Sequence, residues 1–271
     1  MLSNYFDVII SSFKKGFVYK VDNLLSIVNR IIEVSVLIFI WTAIYGDNVS
    51  INGMNLKTLI IYYAIAYSLG HIMTWGINEY MSSSIKNGRI NMELLYPIDY
   101  IKYFFCYKLG NVLRQLIVIS IPTFIILLIL YNIHLSFNLI NILFFLLITF
   151  LSVIIIFFIE FIFGLMAFYT TSGWGLQVLK KSIVTILSGA IAPIEFFPSV
   201  IVKILKILPF SDLIYSPITT LLGMNSFSNI YTILLRQLIW IVVLYIVSKI
   251  IYNKAIKNVT IYGGWYEEYI T

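Results

Sequence analysis

Residues 139–161 read LINILFFLLITFLSVIIIFFIEF, from Leu139 to Phe161, an apolar run whose single charged side chain is Glu160. As an α-helix rising 1.5 Å per residue it is about 34 Å long, enough to cross the ~30 Å hydrocarbon core of a bilayer. The run continues to about Tyr169 and has company. Apolar stretches of roughly 20 residues also start near Leu24, Leu56, Val112, Val178 and Tyr231, which predicts six membrane-spanning helices. Composition agrees: of 271 residues, 61% are hydrophobic and only 11% charged, with a mean hydropathy of +0.96. A soluble domain carries about a quarter charged residues, so a water-soluble globular protein is excluded. A twelve-span carrier is excluded by length.

The stretches between the runs set the organisation. Gly46-Asp47-Asn48 and Asn52-Gly53 predict a turn after the first span, and Asn132 to Asn138 a short turn after the third. The segment Pro193 to Phe227 is different. It holds four of the six prolines, Pro193, Pro198, Pro209 and Pro217, separated by short apolar pieces such as Val200 to Leu208. Proline removes a backbone donor and disfavours helix in the residue before it, so short broken helices are expected, forming a re-entrant or interfacial hairpin. At the other end, Phe6, Ile9, Ile10, Phe13 and Phe17 recur at helical spacing opposite Ser and Lys. Residues 1–22 therefore read as an amphipathic helix lying at the membrane surface.

Charge sets the orientation. With both termini cytoplasmic, fourteen of the 18 Lys and Arg residues lie on or near the inner side, leaving only Lys57, Lys203, Lys206 and Arg236 outside. The expectation is an all-α integral membrane protein with one permease domain over 1–271, a cytoplasmic loop at 82–99, an outer hairpin at 193–227 and a cytoplasmic tail at 253–271. The net charge of +6 is first a topology signal, and nothing points to nucleic acid.

Little catalytic chemistry is present. Cys106 is the only cysteine, and His71 and His134 show no metal-ligand spacing, so no metal site is expected. No phosphate-cradling glycine loop and no nucleophile elbow occurs. The chain is thus read as having no ATP site, no cofactor and no catalytic residue of its own.

Two irregular stretches carry a pattern. One is Ile85-Lys86-Asn87-Gly88-Arg89-Ile90-Asn91-Met92-Glu93-Leu94-Leu95-Tyr96-Pro97. The other is Ser188-Gly189-Ala190-Ile191-Ala192-Pro193-Ile194-Glu195-Phe196-Phe197-Pro198, joined by Pro209-Phe210 and by Pro217. With the six-span layout, both resemble the type-2 ATP-binding-cassette export permeases, in particular the compact bacterial branch of similar length. The resemblance implies a bacterial cell membrane and separate ATPase subunits that hold ATP and Mg. It also implies a second permease copy, or a related permease, completing the path. The loop at 82–99 would hold a coupling helix docking on the ATPase, with Ile85, Asn87, Gly88, Arg89, Ile90, Glu93 and Leu94 at the contact. Its mixture of apolar and charged residues also suits a loop leaning on lipid headgroups. Gly189, Pro193, Phe197, Pro198, Pro209, Phe210 and Pro217 belong to the outer hairpin.

Within the spans, Tyr63, Tyr67, His71 and Trp75 follow one i+4 ridge, lining a substrate path or packing between helices. Glu160 needs a partner or a proton at membrane depth, and Arg114 is the expected partner. Arg30 and Glu33, one turn apart, are expected to pair with each other. A stand-alone membrane enzyme, an ion-coupled carrier and a membrane immunity protein are the competing readings. An ion-coupled carrier is expected to gather several charges near mid-membrane.

Overall fold

Helices make up all the regular secondary structure among the described residues, as hydrocarbon requires of a chain that must satisfy its backbone internally. The computed structural model describes all but residues 1, 16, 18–19, 47, 75–76, 88, 91–98, 134, 136, 170–172 and 263–271. The surface helix α1 spans Leu2–Lys15, and α2 (Lys20–Tyr45) is the first long apolar helix. Next come α3 (Leu56–Thr74), α4 (Ile77–Lys86), α5 (Tyr100–Gln115), a π turn at Leu116–Ser120 and α6 (Ile121–Leu130). Then follow α7 (Leu139–Met166), α8 (Gly173–Leu187), the short helices α9 (Ser199–Leu205) and α10 (Tyr215–Leu221), and α11 (Phe227–Tyr262).

Five helical stretches among the described residues are long and apolar enough to cross a membrane: 20–45, 56–85, 100–130, 139–166 and 227–256. The protein is an all-α, multi-pass membrane protein. The fifth expected span corresponds to α8, which has 15 residues and is only about 22 Å long, short of the ~30 Å core. It stops at Leu187 because Gly189 takes a left-handed conformation, φ +86°, the usual helix terminator. The third stretch starts at Tyr100, twelve residues before the apolar run, because Asp99 caps it: its Oδ1 accepts from Lys102 N at 3.1 Å. The last helix also overruns its apolar run at both ends.

Burial sorts the helices. In its most apolar stretch the 56–85 helix is 61% buried, against 11% for α2 and 17% for α11, so α3 is the central post and the other two face outward. The largest apolar cluster joins Val34 and Ile38 of α2, Tyr62 and Tyr63 of α3, Ile155 and Ile156 of α7, Val184 of α8 and Ile218 of α10. The Asn52-Gly53 turn forms as expected: both residues have positive φ, and Ile51 and Met54 exchange backbone hydrogen bonds of 2.9 and 3.0 Å across it. The π turn lies just before Pro122, whose ring would crowd the carbonyl four residues back; widening the helix by one residue relieves that crowding.

The surface helix α1 docks on α5. Ser12 is buried there, and a Cβ added at Gly110 would collide with the Ser12 hydroxyl and the Ile9 carbonyl. Phe6 and Phe17 remain exposed, leaving an apolar edge for lipid. Replacing Gly110 with Val should destabilise the protein by about 1–3 kcal/mol through overpacking, read as a lowered melting temperature in detergent. Gly70→Ala, where a Cβ meets nothing within 4 Å, should not share the effect.

Candidate functional site

The first candidate region is the loop at 82–99. Of its expected contact residues, Gly88, Glu93 and Leu94 lie outside the described residues. Asn87 and Arg89 are exposed and Ile85 is half-buried. Ile90 is buried, in the cluster of Ile77, Met81, Tyr100, Phe104 and Phe161. It anchors the loop to the bundle and is not an apolar contact offered outward. The Arg89 guanidinium donates back to Ser83 Oγ at 3.3 Å.

The second region is the broken segment at 193–227. Between 193 and 227 the helices are single turns at Ile194–Phe196 and Pro209–Asp212 and the seven-residue α9 and α10. Each proline stands where a missing N–H costs nothing: Pro193 and Pro198 just before a helix, Pro209 first in its turn and Pro217 in the first turn of α10. Gly189, Pro193, Pro209 and Pro217 are buried, Phe197 and Phe210 half-buried, and Pro198 exposed.

Three anchors fix this segment to the long helices. The Tyr62 hydroxyl donates to the Gly189 carbonyl at 2.6 Å, and that of Tyr63 to Ile191 at 2.7 Å. A side chain at Gly189 would meet the Tyr62 hydroxyl at 2.9 Å, so this approach needs glycine as much as its φ does. The Phe196 ring packs on Trp41 of α2 with centroids 5.0 Å apart. Finally, Asp212 is gripped by Arg236 of α11, whose Nε donates to Oδ2 at 2.7 Å. Ser216 donates to Asp212 Oδ1 at 2.7 Å. Ser152 of α7 and Gln237 of α11 both donate to the Asp212 carbonyl.

The third region is the charged interior. Glu160 is fully buried and paired, but its cations are Lys108 Nζ of α5 at 3.0 Å and Lys180 Nζ of α8 at 3.2 Å. Arg114, the expected partner, instead donates to Asn23 Oδ1 of α2 at 3.1 Å. Helical geometry explains the correction. Counted from the ends of their helices, Glu160, Lys108 and Lys180 all lie about 9–12 Å in, whereas Arg114 lies about 21 Å in, too far along α5. Lys108 also donates to the Ile72 carbonyl at 3.1 Å. Three charges do therefore meet at membrane depth, the mark expected of a coupled carrier. They are mutually bonded and sealed, with side-chain exposures of 2% or less.

The aromatic ridge divides. Tyr63 is buried and structural, and Trp75 lies outside the described residues. Tyr67 and His71 are half-buried. Tyr67 lines a cleft of about 120 Å³ between α2, α3 and α8, shared with Arg30, Glu33, Lys181 and Thr185 and with the apolar Ala66, Val184 and Ile214. Arg30 and Glu33 pair at 3.0 Å as expected, and the guanidinium sits 5.9 Å from the centre of the Tyr67 ring. Sequence reasoning missed Lys108, Lys180, Lys181, Asp212 and Arg236. The signal for the first two was their equal depth with Glu160, counted from neighbouring helix ends.

Removing the carboxylate leaves two buried ammonium groups facing each other. Glu160→Gln should cost about 3–5 kcal/mol, whereas replacing Lys108, Glu160 and Lys180 together with Met should recover most of the loss. Thermal unfolding in detergent reads both. Against known proteins, the model for "ABC-2 family transporter protein" matches residues 31–263. None of the curated proteins matches the chain.

Proposed function

The chain belongs to the ABC-2 transporter family, and from that premise we propose that this permease component forms half the translocation path of an ATP-driven exporter, powered by separate ATPase subunits. One observation carries the half-path. Glu33, 51% exposed, and the exposed Lys181 stand on helices whose other outward residues are largely apolar. Against lipid, each charge near mid-membrane costs about 2.5–3.5 kcal/mol on insertion scales. A second copy, or a related permease, facing this strip removes it from lipid and encloses a polar path between two bundles.

The remaining parts follow from this reading. α8 and the broken segment after it together make the sixth crossing, and α9, with exposed Val200, Ile201 and Ile204, dips into the outer leaflet near the exit. The positive-inside count supports cytoplasmic termini. The loop at 82–99 is the coupling element, with Asn87, Gly88 and Arg89 toward the ATPase and Ile90 as its inward anchor. The resemblance to compact export permeases supports the outward direction.

Topology is tested by labelling. In a Cys106→Ser background, Asn87→Cys and Asn258→Cys should resist an impermeant maleimide in intact cells and react once the membrane is opened. Ready labelling in intact cells overturns the orientation.

Coupling is tested on the assembled complex. The tagged chain should bring down an ATPase subunit from its own membranes and raise that subunit's ATP hydrolysis. Gly88→Trp should abolish the stimulation while leaving membrane insertion intact. An ATPase-free preparation, or wild-type stimulation in the variant, counts against the assignment.

A further inference from the structure

The two cations of the α2–α3–α8 cleft are held differently. Arg30 is tied to Glu33 and leans over Tyr67, which leaves part of its five N–H donors uncommitted. Lys181 lines the same cleft, is exposed, and makes no ion pair among the described residues. Its neighbour Lys180 points the other way, into the bond with Glu160, because successive helix positions differ by about 100°. One lysine thus neutralises the buried carboxylate, and the other is left facing the opening.

The surroundings are positive. The cleft lining carries two cations, Arg30 and Lys181, against the single carboxylate of Glu33. Behind the cleft wall, Lys108 and Lys180 share the single carboxylate of Glu160. Within the cleft, Glu33 is already answered by Arg30. The cleft volume of about 120 Å³ is well above the ~10–15 Å³ one water needs, so a small polar group fits. The walls are also half apolar, with Val184 and Ile214 in the lining. On the Glu33 side of α2, Val36 and Ile40 stay exposed, carrying the apolar surface about 10 Å farther along the helix.

A basic pocket under an apolar wall matches a molecule charged at one end and greasy at the other. We propose that the cargo is an amphiphile with an anionic headgroup, a phosphate or carboxylate, bound in this cleft by Lys181 and Arg30 with its apolar tail along α2 toward Ile40. This rests on the reading that the α2–α3–α8 face lines the path.

The test uses the purified protein in phosphatidylcholine nanodiscs and radiolabelled dodecyl phosphate. Binding should be saturable and at least tenfold tighter than that of dodecyltrimethylammonium or dodecyl maltoside. Lys181→Gln should weaken it tenfold or more, Lys181→Arg should retain it, and Lys203→Gln, on the outer segment, should leave it unchanged. Equal binding of the cationic amphiphile overturns the proposal, as does undiminished binding in Lys181→Gln. Displacement by inorganic phosphate at equal concentration also overturns it, since the tail would then contribute nothing. Assembly with the ATPase is measured separately. An ATP-hydrolysing complex indifferent to the headgroup defeats this inference alone, whereas Lys181-dependent binding without any ATPase partner defeats the permease reading and leaves the site standing.

Discussion

An ionised carboxylate placed in hydrocarbon organises whatever cations its neighbours can bring to the same depth, and Glu160 draws in two. Lys108 arrives from α5 and Lys180 from α8, so one side chain of α7 ties three helices together. Desolvation makes such a cluster a poor source of net stability, but a severe penalty for any arrangement that separates its members. The register of α5 and α8 against α7 is therefore fixed more by what must not be left unpaired than by the attraction itself. Lys180, held inward, also determines where Lys181 faces, so the buried cluster and the open cleft are two outcomes of one constraint.

The broken segment at 193–227 solves a different problem by related means. Irregular backbone near a membrane survives only where protein or water satisfies it. Here the satisfying groups are specific: Tyr62 and Tyr63 hydroxyls on the carbonyls of Gly189 and Ile191, Ser152 and Gln237 on that of Asp212, and the Trp240 indole on that of Ile207 at 2.9 Å. Long helices thus lend side-chain donors to carbonyls that no helix can serve. α3 supplies the tyrosines as the central post, and α11, otherwise the lipid-facing periphery, contributes Arg236, Gln237 and Trp240.

Much of this architecture was legible from local chemistry. Apolar runs located the long helices, Asn52-Gly53 its turn, and the prolines the broken segment, because those signals act within a few residues. Helix ends were less legible wherever a polar cap extended a helix beyond its apolar run, as Asp99 does for α5. The polar contacts were the least legible. Whether Glu160 meets Arg114 or Lys108 depends on relative helix depth, and whether Tyr63 lines a path or braces a loop depends on a carbonyl 128 residues away. Similarly, Ile90 in a polar loop signalled an exposed contact, but buried itself against Met81 and Phe104.

The π turn at Leu116–Ser120 carries a consequence for how the chain tolerates changes in length. A π turn amounts to one extra residue in an α-helix, and each residue accounts for about 100° of rotation. Because the wider turn winds that extra residue into nearly the same rotation, deleting one residue there would restore a regular helix and leave the half bearing Lys108 and Arg114 facing as it does now relative to the half beyond Pro122. A deletion in the regular helix between Lys108 and Leu116 would instead swing one half against the other by about 100° and take Lys108 away from Glu160. The regular stretch from Lys108 to Gln115 is thus intolerant of insertion and deletion, whereas the π turn can lose its extra residue without rotating any buried charge.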